Sequence, residues 1–478
     1  MEVATDDSKR DDMSFPRNGE DSAPLRHSRE DFVSPRRSSK TAESNCREVF
    51  KKVPSYKKAE SSNNLAARYH DVVQEQGLSG QDKGEIKRLR TVHWNEKIAP
   101  SRNLHDQALN KAWGKDGMQD GSWQVTGEIP RNILGRERET PFNVRRFSLC
   151  PKAAETGKQL LHRSRVACVN IKGLKDEVDT SIGQDNFSVS HLGVSGWDVF
   201  CVMDGHGPDG HWPSTRSVRT LPLFLRTALR DAGLIEDEIR QAMHHAFGEA
   251  NLDLESMASK EKVKIFLSGC TALAVLRHPD CDSIWVGHVG DTRAILVAPG
   301  HGVLHESRDH KVSIPEERER VQNSGCRVDT LIHPDGSEEA RVFLENKGYP
   351  GIMMTRSLGD LCVKKNGVIA EPEVVNWPTK DCPPGTRLIL ATDGAFEFLS
   401  SAEVADILFK ALDQGKTDQE AVEAILEEAK GAWAEYEDDY CDDITVLMVT
   451  LDAPALPPIE VCKEKDCLAG IRTACTIL

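Results

Sequence analysis

The distribution of hydrophobic and polar residues divides the chain into two unlike parts. Residues 1 to about 90 are rich in Ser, Lys, Arg, Asp and Glu, and their short apolar runs follow the period of neither a strand nor a helix. A segment of this composition buries too little apolar surface to offset the conformational entropy lost on folding. We therefore expect residues 1–90 to form a disordered polar extension.

From about residue 165 the pattern changes to short apolar runs mixed with helical segments. Runs rich in Val, Ile and Leu predict strands at 272–276, 283–289, 294–298, 387–391 and 444–451. The second and third runs are joined through Gly290-Asp291-Thr292, which predicts a tight antiparallel hairpin. Strand pairs of this kind are typical of antiparallel sheets.

Three segments carry the signature of a helix. In the first, apolar residues recur at helical spacing at positions 235, 239, 243, 247 and 254. The other two begin with capping boxes, Ser400 with Glu403 and Thr417 with Glu420, and Gly415 ends the earlier of the two. Hairpins together with segregated helices favour an α+β layered domain over a repeated βαβ fold.

Four segments follow from these patterns. After the extension, residues 91–160 hold Trp94, Trp113 and Trp123 among polar residues and are predicted to be a partly ordered linker or docking segment. Residues 161–452 are predicted to be the folded domain, and 453–478 a flexible tail. The length of 478 residues leaves room for one such large domain with extensions.

Composition excludes several classes of protein. Hydrophobic residues make up 38% of the chain and charged residues 29%, and no run approaches the roughly 18 apolar residues that span a bilayer. The polar N-terminus has no secretory apolar region, and Glu2 stands where myristoylation requires glycine. We therefore expect a cytoplasmic protein, with a nuclear location also open.

Charge and cysteine usage narrow the choice further. A net charge of -15 argues against a nucleic-acid partner, because such proteins need a basic face for phosphate contacts. The 13 cysteines are an odd number and form no CxxC pair, so reduced thiols are expected rather than a disulfide framework or a zinc site.

Several aspartates recur in one local setting, at the end of an apolar run and beside glycine or a second aspartate. They are Asp204, Asp291, Asp393 and Asp442. Strand ends bring distant residues to one rim of a sheet, where several carboxylates would repel one another unless cations were present. Carboxylate and carbonyl oxygens without a His/Cys cluster favour Mg²⁺ or Mn²⁺. A single Asp-Gly pair usually marks an ordinary turn, but four aspartates at strand ends indicate a metal site.

Eight short motifs follow one another along residues 183–446, and their ordered set is far more specific than any one of them. They are Gly183-Gln184-Asp185-Asn186-Phe187, Met203-Asp204-Gly205-His206-Gly207, Ser268-Gly269-Cys270-Thr271-Ala272, Gly287-His288-Val289-Gly290-Asp291-Thr292-Arg293, Ser307-Arg308-Asp309-His310-Lys311, Thr355-Arg356-Ser357-Leu358-Gly359-Asp360, Ala391-Thr392-Asp393-Gly394 and Asp442-Asp443-Ile444-Thr445-Val446. Through these motifs the sequence resembles the metal-dependent type 2C protein phosphatases, which act on phosphoserine and phosphothreonine.

The resemblance implies a four-layer αββα sandwich of two antiparallel sheets flanked by helices. It also implies two Mg²⁺ or Mn²⁺ ions, with Asp204 bridging both ions. The Gly205 carbonyl would bind one of the ions, and Asp393 and Asp442 would bind the other. A hydroxide between the ions would then attack phosphorus directly, without a phosphoenzyme.

Further metal contacts are implied at the edge of this site. Asp185 resembles an outer ligand that acts through water. A weaker third ion would use Asp291, Asp393 and the position four beyond it, which is Glu397 in this sequence. A glutamate can still bind a metal ion, although the affinity would differ.

His206 resembles the general acid that protonates the leaving seryl or threonyl oxygen, a role that suits a side chain titrating near neutral pH. The phosphate clamp departs from the best-known pattern, because lysines stand where arginine is common. Lys175 is the first candidate and Lys172 the reserve, and an ordinary surface lysine is the alternative for either. Arg356 and Asp360 are interpreted as structural supports rather than metal ligands.

The chain ends Cys475-Thr476-Ile477-Leu478, which fits a CaaX box with geranylgeranylation at Cys475. Cys462 and Cys467 could supply a second acyl anchor, so attachment to a membrane surface through a lipid is one hypothesis. An unmodified tail is the alternative.

The function predicted from these residues is metal-dependent hydrolysis of phosphoserine and phosphothreonine in proteins by a monomer. Two alternatives stay open. One is a pseudophosphatase that binds phosphoproteins without turnover, and the other is a hydrolase of small phosphoesters. Intact carboxylates at Asp204, Asp393 and Asp442 argue against the first, because a binding module has no chemical need for all three.

Overall fold

The structure is a computed structural model. It describes residues 109, 112–113, 120–127, 142–149, 164–175, 182–230, 232–261, 263–332, 338–437 and 439–451. The predictions for residues 1–90 and for the tail, including Cys475, lie outside the described residues.

The described residues form eighteen strands, most of them in two six-stranded sheets. The strands are β1 (Ser122–Thr126), β2 (Arg145–Leu149), β3 (Arg165–Ile171), β4 (Asn186–Leu192), β5 (Asp198–Met203), β6 (Gly205–His206), β7 (Gly269–Cys270), β8 (Ala272–Arg277), β9 (Ser283–Val289), β10 (Arg293–Ala298), β11 (Gly302–Glu306), β12 (Cys326–Ile332), β13 (Glu338–Leu344), β14 (Pro350–Ile352), β15 (Leu358–Gly359), β16 (Glu373–Pro378), β17 (Arg387–Ala391) and β18 (Ile444–Thr450).

Six α-helices accompany these strands among the described residues. They are α1 (His211–Ala228), α2 (Glu236–Glu261), α3 (Pro315–Asn323), α4 (Asp393–Phe396), α5 (Ser401–Asp413) and α6 (Asp418–Tyr436).

Both large sheets are antiparallel. The first sheet has the order β1-β4-β5-β8-β9-β16 and the second has the order β11-β10-β17-β18-β3-β2. Two small three-stranded sheets, β12-β13-β14 and β15-β7-β6, are separate from the two large sheets.

Alternating side chains of the strands join the layers together. On β5, Val199, Cys201 and Met203 pack with α1 and α2, whereas Phe200 and Val202 point into the core between the sheets. The same alternation on β17 and β18 divides their residues between the inter-sheet core and a third core with α5 and α6. Because successive strand residues face opposite sides, each sheet buries both faces. The result is the predicted four-layer αββα sandwich.

The predicted elements agree closely with the observed ones. All five predicted strands match observed strands to within one residue at each end, as β8, β9, β10, β17 and β18. Both capping boxes form, with Ser400 and Thr417 as N-caps. Gly415 has φ +79° and follows α5 in a Schellman turn, where the Lys416 N–H donates to the Ala411 carbonyl. Ile235 lies just before α2 and is exposed.

The predicted hairpin around Gly290 is wrong. β9 pairs with β8 and β16 in the first sheet, whereas β10 pairs with β11 and β17 in the second. The chain therefore crosses from one sheet to the other at Gly290-Asp291-Thr292. Gly290 has φ +96°, a backbone conformation that favours glycine, and the short sharp turn resembles a hairpin turn in sequence although its strands diverge.

Parts of the segment 91–160 contribute to both sheets. β1 pairs with β4 at the edge of the first sheet, and β2 pairs with β3 at the edge of the second. The indole of Trp113 donates to the Arg219 carbonyl on α1, at 3.1 Å, and Trp123 is buried in the inter-sheet core. The exact domain boundaries stay a prediction. Among the described helices, none has both the length and the apolar composition needed to cross a bilayer.

Loss of one N-cap gives a test of the layered fold. Replacement of Ser400 by alanine removes the oxygen that accepts from the Glu403 backbone N–H, so we expect a loss of about 1 kcal/mol in the free energy of unfolding. Urea unfolding followed by circular dichroism would measure it. Ser400→Thr keeps a capping oxygen and should retain most of the stability, and equal midpoints for the alanine variant and wild type would contradict the assigned cap.

Candidate active site

The candidate site lies where strands of the two large sheets end together. Asp204 directly follows β5 of the first sheet. In the second sheet β17 and β18 are antiparallel with Ala391 opposite Val446, so Asp393, just after β17, and Asp442, just before β18, share one edge. The predicted convergence of strand-end carboxylates is therefore present.

The carboxyl groups at this edge interact directly with one another. Asp204 and Asp393 share a side-chain hydrogen bond. Burial and the charges of Asp393, Asp185 and Asp442 raise the pKa of Asp204 well above its usual value. Burial, followed by the charges of Asp291 and Asp442, raises the pKa of Asp393 to about 8. The cluster therefore holds protons that isolated aspartates would release.

Asp185 is buried beside the cluster and held by two hydroxyls. Its Oδ2 accepts hydrogen bonds from Thr392 Oγ1 and Thr445 Oγ1, each at 2.8 Å. Burial and the charge of Asp443 raise its pKa well above the usual value. The threonines fix one oxygen and leave Oδ1 without a hydrogen-bond partner among the described residues.

Besides Asp360 Oδ1 next to His206, three carboxylate oxygens of the aspartate cluster are buried and make no hydrogen bond within the described part of the chain. They are Oδ1 of Asp185, Oδ1 of Asp291 and Oδ1 of Asp393. A buried polar atom without a partner costs free energy, and a hard divalent cation would satisfy such oxygens. Among the described residues, no group of three or more Asp, Glu, His or Cys side chains is already arranged to hold a metal ion. The donor chemistry fits Mg²⁺ or Mn²⁺, and some carboxylates would have to rotate to bind.

Gly205, next to Asp204, packs closely against neighbouring main chain. A Cβ at this position would lie 2.3 Å from the Gly210 carbonyl oxygen and 2.6 Å from that of Gln184. A larger residue would therefore displace the main chain at the point where the resemblance implies a carbonyl ligand.

The positions implied for a weaker third ion surround a lysine. The Nζ atom of Lys311 lies 3.7 Å from Asp291 Oδ2 and 3.9 Å from Asp309 Oδ2. Burial raises the pKa of Glu397 against the opposing charge of the Lys311 ammonium, and the charges of Asp291 and Asp442 add to the rise. The Lys311 ammonium therefore neutralises part of the charge at this side of the site.

The two candidate phosphate-binding lysines differ in exposure. The Lys175 side chain is 34% exposed, and its Nζ lies 3.5 Å from Asp442 Oδ1. Burial alone would lower the pKa of Lys175, but Asp442 and Asp443 raise it well above the usual value. Lys172 is only 1% exposed. Of the two candidates, Lys175 is thus the partly exposed one, and it lies beside Asp442.

Asp443 was not singled out from the sequence, yet it joins the segments that carry the site. Its Oδ1 accepts from the Gly173 N–H at 2.8 Å and its Oδ2 from the Gln184 N–H at 2.6 Å. These contacts tie the segments before Lys175 and Asp185 to the start of β18. The Asp-Asp pair at 442–443 was the only signal in the sequence.

His206 is held by Asp360. His206 Nε2 lies 2.7 Å from Asp360 Oδ2, and the carboxylate is completely buried. Burial would raise the pKa of Asp360, but the charge and hydrogen bond of His206 outweigh it and keep that pKa below its usual value. Asp360 therefore supports the proposed general acid rather than a metal ion. Arg356 is a structural support that pairs with Glu317 at 2.7 Å.

A family model for protein phosphatase 2C matches residues 166–435. The chain belongs to the protein phosphatase 2C family. This match includes seven of the eight motifs and ends just before the Asp442 motif, whose residues lie at the same sheet edge.

Curated relatives agree with this assignment. The chain is 34% identical over 262 residues to "Probable protein phosphatase 2C 64" of Oryza sativa subsp. japonica, covering 53% of this chain and 58% of the relative. It is 33% identical over 266 residues to "Probable protein phosphatase 2C 48" of the same organism, covering 51% of this chain and 72% of the relative. The match thus spans little more than half of the first relative's length.

A solved structure described as serine-threonine phosphatase 2C from Toxoplasma gondii has a TM-score of 0.51 to this chain at 19% identity. The similarity covers 64% of this chain and 98% of that one. At this level of identity, the likeness establishes the fold alone, in agreement with the αββα layers.

The raised carboxyl pKa values predict how stability depends on pH in the absence of metal. The pKa of Asp393 lies above its value in an unfolded chain, so its protonation stabilises the fold at low pH, and this contribution is lost as pH rises from about 4 to about 8. In chelator, the melting temperature should therefore fall over this range. Mg²⁺ or Mn²⁺ should raise it most at pH 8, where the ions no longer compete with protons.

Differential scanning calorimetry of Asp393→Asn provides the comparison, because this variant should show a weaker pH dependence in chelator. Asp413→Asn, at the exposed end of α5, is the matched control and should behave as wild type. A melting temperature unaffected by either metal at pH 8 would argue against a metal site here.

Proposed function

We propose that this chain hydrolyses phosphoserine and phosphothreonine in proteins with the help of Mg²⁺ or Mn²⁺. The observation that carries the proposal is the carboxylate cluster at the edges of both sheets, with three buried oxygens lacking partners among the described residues, next to a histidine held by Asp360. Membership of the protein phosphatase 2C family supports the same reaction class.

Asp204, Asp393 and Asp442 would hold two ions, with the Gly205 carbonyl as a further ligand and Asp185 acting through water. Bound there, such ions would neutralise charge on the phosphoryl oxygens and activate water for direct attack, so that no phosphoenzyme forms. The family-derived weaker site would use Asp291, Asp393 and Glu397, and Lys311 lies beside Asp291 as a competing positive charge.

The chain's own residues have two tasks in this reaction. His206 donates a proton to the leaving seryl or threonyl oxygen, because an alkoxide is a poor leaving group. The ammonium of Lys175 binds phosphate oxygens as a point charge, which its partial exposure permits. Lys172, with 1% exposure, suits this second task less well.

Replacement of Asp204 by asparagine tests the metal cluster. We expect phosphate release from a phosphothreonine peptide to fall about 10³-fold or more, since a catalytic ion contributes several kcal/mol of transition-state stabilisation. The assay is run with Mn²⁺, with Mg²⁺ and with chelator. Asp406→Asn, exposed on α5, is the matched control.

Chelator-sensitive turnover that disappears in Asp204→Asn supports the proposal. Near-normal turnover of that variant at saturating Mn²⁺ would show that Asp204 is not the bridging ligand. A folded wild type without turnover on either metal would favour a phosphoprotein-binding module, and preference for small phosphoesters over the peptide would favour the other alternative.

Lys175→Met tests the phosphate clamp separately. Loss of a charged hydrogen bond of about 1.5–3 kcal/mol should lower kcat/KM for the peptide by roughly 10- to 100-fold. The assay uses saturating Mn²⁺, because Lys175 also contacts Asp442. Lys175→Arg should retain most of the activity, whereas an unchanged kcat/KM in the methionine variant would remove Lys175 from substrate binding.

A further inference from the structure

A continuous chain of hydrogen bonds runs inward from His206 to a lysine. His206 Nε2 contacts Asp360 Oδ2 at 2.7 Å, and the Ser357 hydroxyl donates to the same oxygen at 2.5 Å. The Nζ atom of Lys364 in turn donates to Ser357 Oγ at 2.9 Å and to the Ser357 carbonyl at 2.6 Å. Ser357 and Asp360 are both 0% exposed.

The direction of each hydrogen bond follows from the chemistry of the groups. An ammonium can only donate, so Ser357 Oγ must accept from Lys364. The single proton of the Ser357 hydroxyl is then directed to Asp360. Asp360 Oδ2 accepts from both Ser357 and His206, which assigns a proton to His206 Nε2. Nδ1 is thus the ring nitrogen left for proton transfer, and it is buried without a hydrogen-bond partner among the described residues.

The backbone holds His206 and Asp360 in a fixed relation. In the small sheet β15-β7-β6, Gly359 lies opposite Gly269, and Gly269 lies opposite His206. A Cβ on Gly269 would lie 2.3 Å from Asp360 Oδ2, so only glycine leaves room for the carboxylate. The Asp360 N–H donates to the Ser268 carbonyl at 2.9 Å. Asp360 has φ +46°, an uncommon conformation for a residue other than glycine.

The charge of Lys364 acts on Asp360 in addition to that of His206. A completely buried carboxylate is costly unless it is paired and hydrogen-bonded. Burial lowers the pKa of Lys364 to about 8, and the charge of Asp360 acts in the opposite direction. Through Ser357, Lys364 therefore keeps Asp360 an acceptor oriented toward the imidazole.

We propose that Lys364, acting through Ser357 and Asp360, is a positioning residue that holds the His206 ring ready to protonate the leaving oxygen. This inference rests on the proposed function. In the step concerned, the bond from phosphorus to the ester oxygen breaks as the bond from phosphorus to a water oxygen forms. The ester oxygen takes the electron pair of the broken bond and a proton from His206, and the attacking water gives up a proton that restores His206, so that ester and water become alcohol and phosphate.

The demand for this proton depends on the leaving group, which provides a selective test. The threonyl oxygen of a phosphothreonine peptide must be protonated as it leaves, whereas nitrophenolate leaves p-nitrophenyl phosphate as a stable anion. A defect in His206 positioning should slow the first substrate and spare the second. General damage to the fold or the metal site would slow both.

The full chain with saturating Mn²⁺ is assayed with both substrates. Lys364→Met should lower kcat for the phosphothreonine peptide by roughly 10- to 100-fold, within the range that general acid catalysis contributes. The rate with p-nitrophenyl phosphate should change far less. Lys365→Met, at the exposed neighbouring lysine, is the matched control and should match wild type on both substrates. Lys364→Arg should restore part of the peptide activity.

A second variant tests the same inference in case Lys364→Met does not fold. Ser357→Ala removes the linking hydroxyl and keeps the lysine, and it should show the same selective loss on the peptide. Equal losses on both substrates, or none on either, in a folded variant would overturn the inference. Wild type that is inactive on both substrates would instead refute the proposed function, so the two failures are distinguishable.

Discussion

Repulsion among partly buried carboxylates is the constraint on which the site depends. Burial and neighbouring carboxylate charges at this edge raise the pKa values of Asp204, Asp185 and Asp393, and the charges of Asp442 and Asp291 contribute to these shifts. A fold that collects so many acids must satisfy them with hydroxyls, ammonium groups or ions. The protein satisfies these acids in part with its own side chains. Thr392 and Thr445 donate hydrogen bonds to Asp185, Lys175 lies beside Asp442, and Lys311 lies beside Asp291.

The sandwich makes this arrangement rigid. Asp204 belongs to the first sheet, whereas Asp393 and Asp442 belong to the second, so the inter-sheet core sets their separation. Phe200 and Val202, just before Asp204, pack in that core with Leu388 and Leu390, just before Asp393. Close packing of this kind resists expansion. The energy of apolar burial therefore holds together charges that would otherwise move apart.

Much of the fold was predictable from the sequence because its signals are local. A capping box such as Thr417 with Glu420 is complete within four residues, and β17 is apolar from Leu388 to Ala391 because both of its faces are buried there. The turn at Gly290 was misread because a local turn signal does not reveal which sheet the next strand joins. The candidate carboxylates were found from their strand-end setting, but the contact between His206 and Asp360, 154 residues apart, has no local signal. Asp443 was missed for the same reason, since its partners Gly173 and Gln184 are distant in sequence.

The segment Gly290-Asp291-Thr292, where the chain crosses between the sheets, couples the relative position of the two sheets to the geometry of the candidate site. One residue of the candidate site, Asp291, lies on the segment that connects the first sheet to the second. A small slide of one sheet over the other would therefore shift Asp291 along with the spacing between Asp204 and Asp393. Substitutions in the inter-sheet core, far from any substrate, would therefore change the distances between ligand oxygens. The affinity for metal ions would then depend on how well the hydrophobic core is packed.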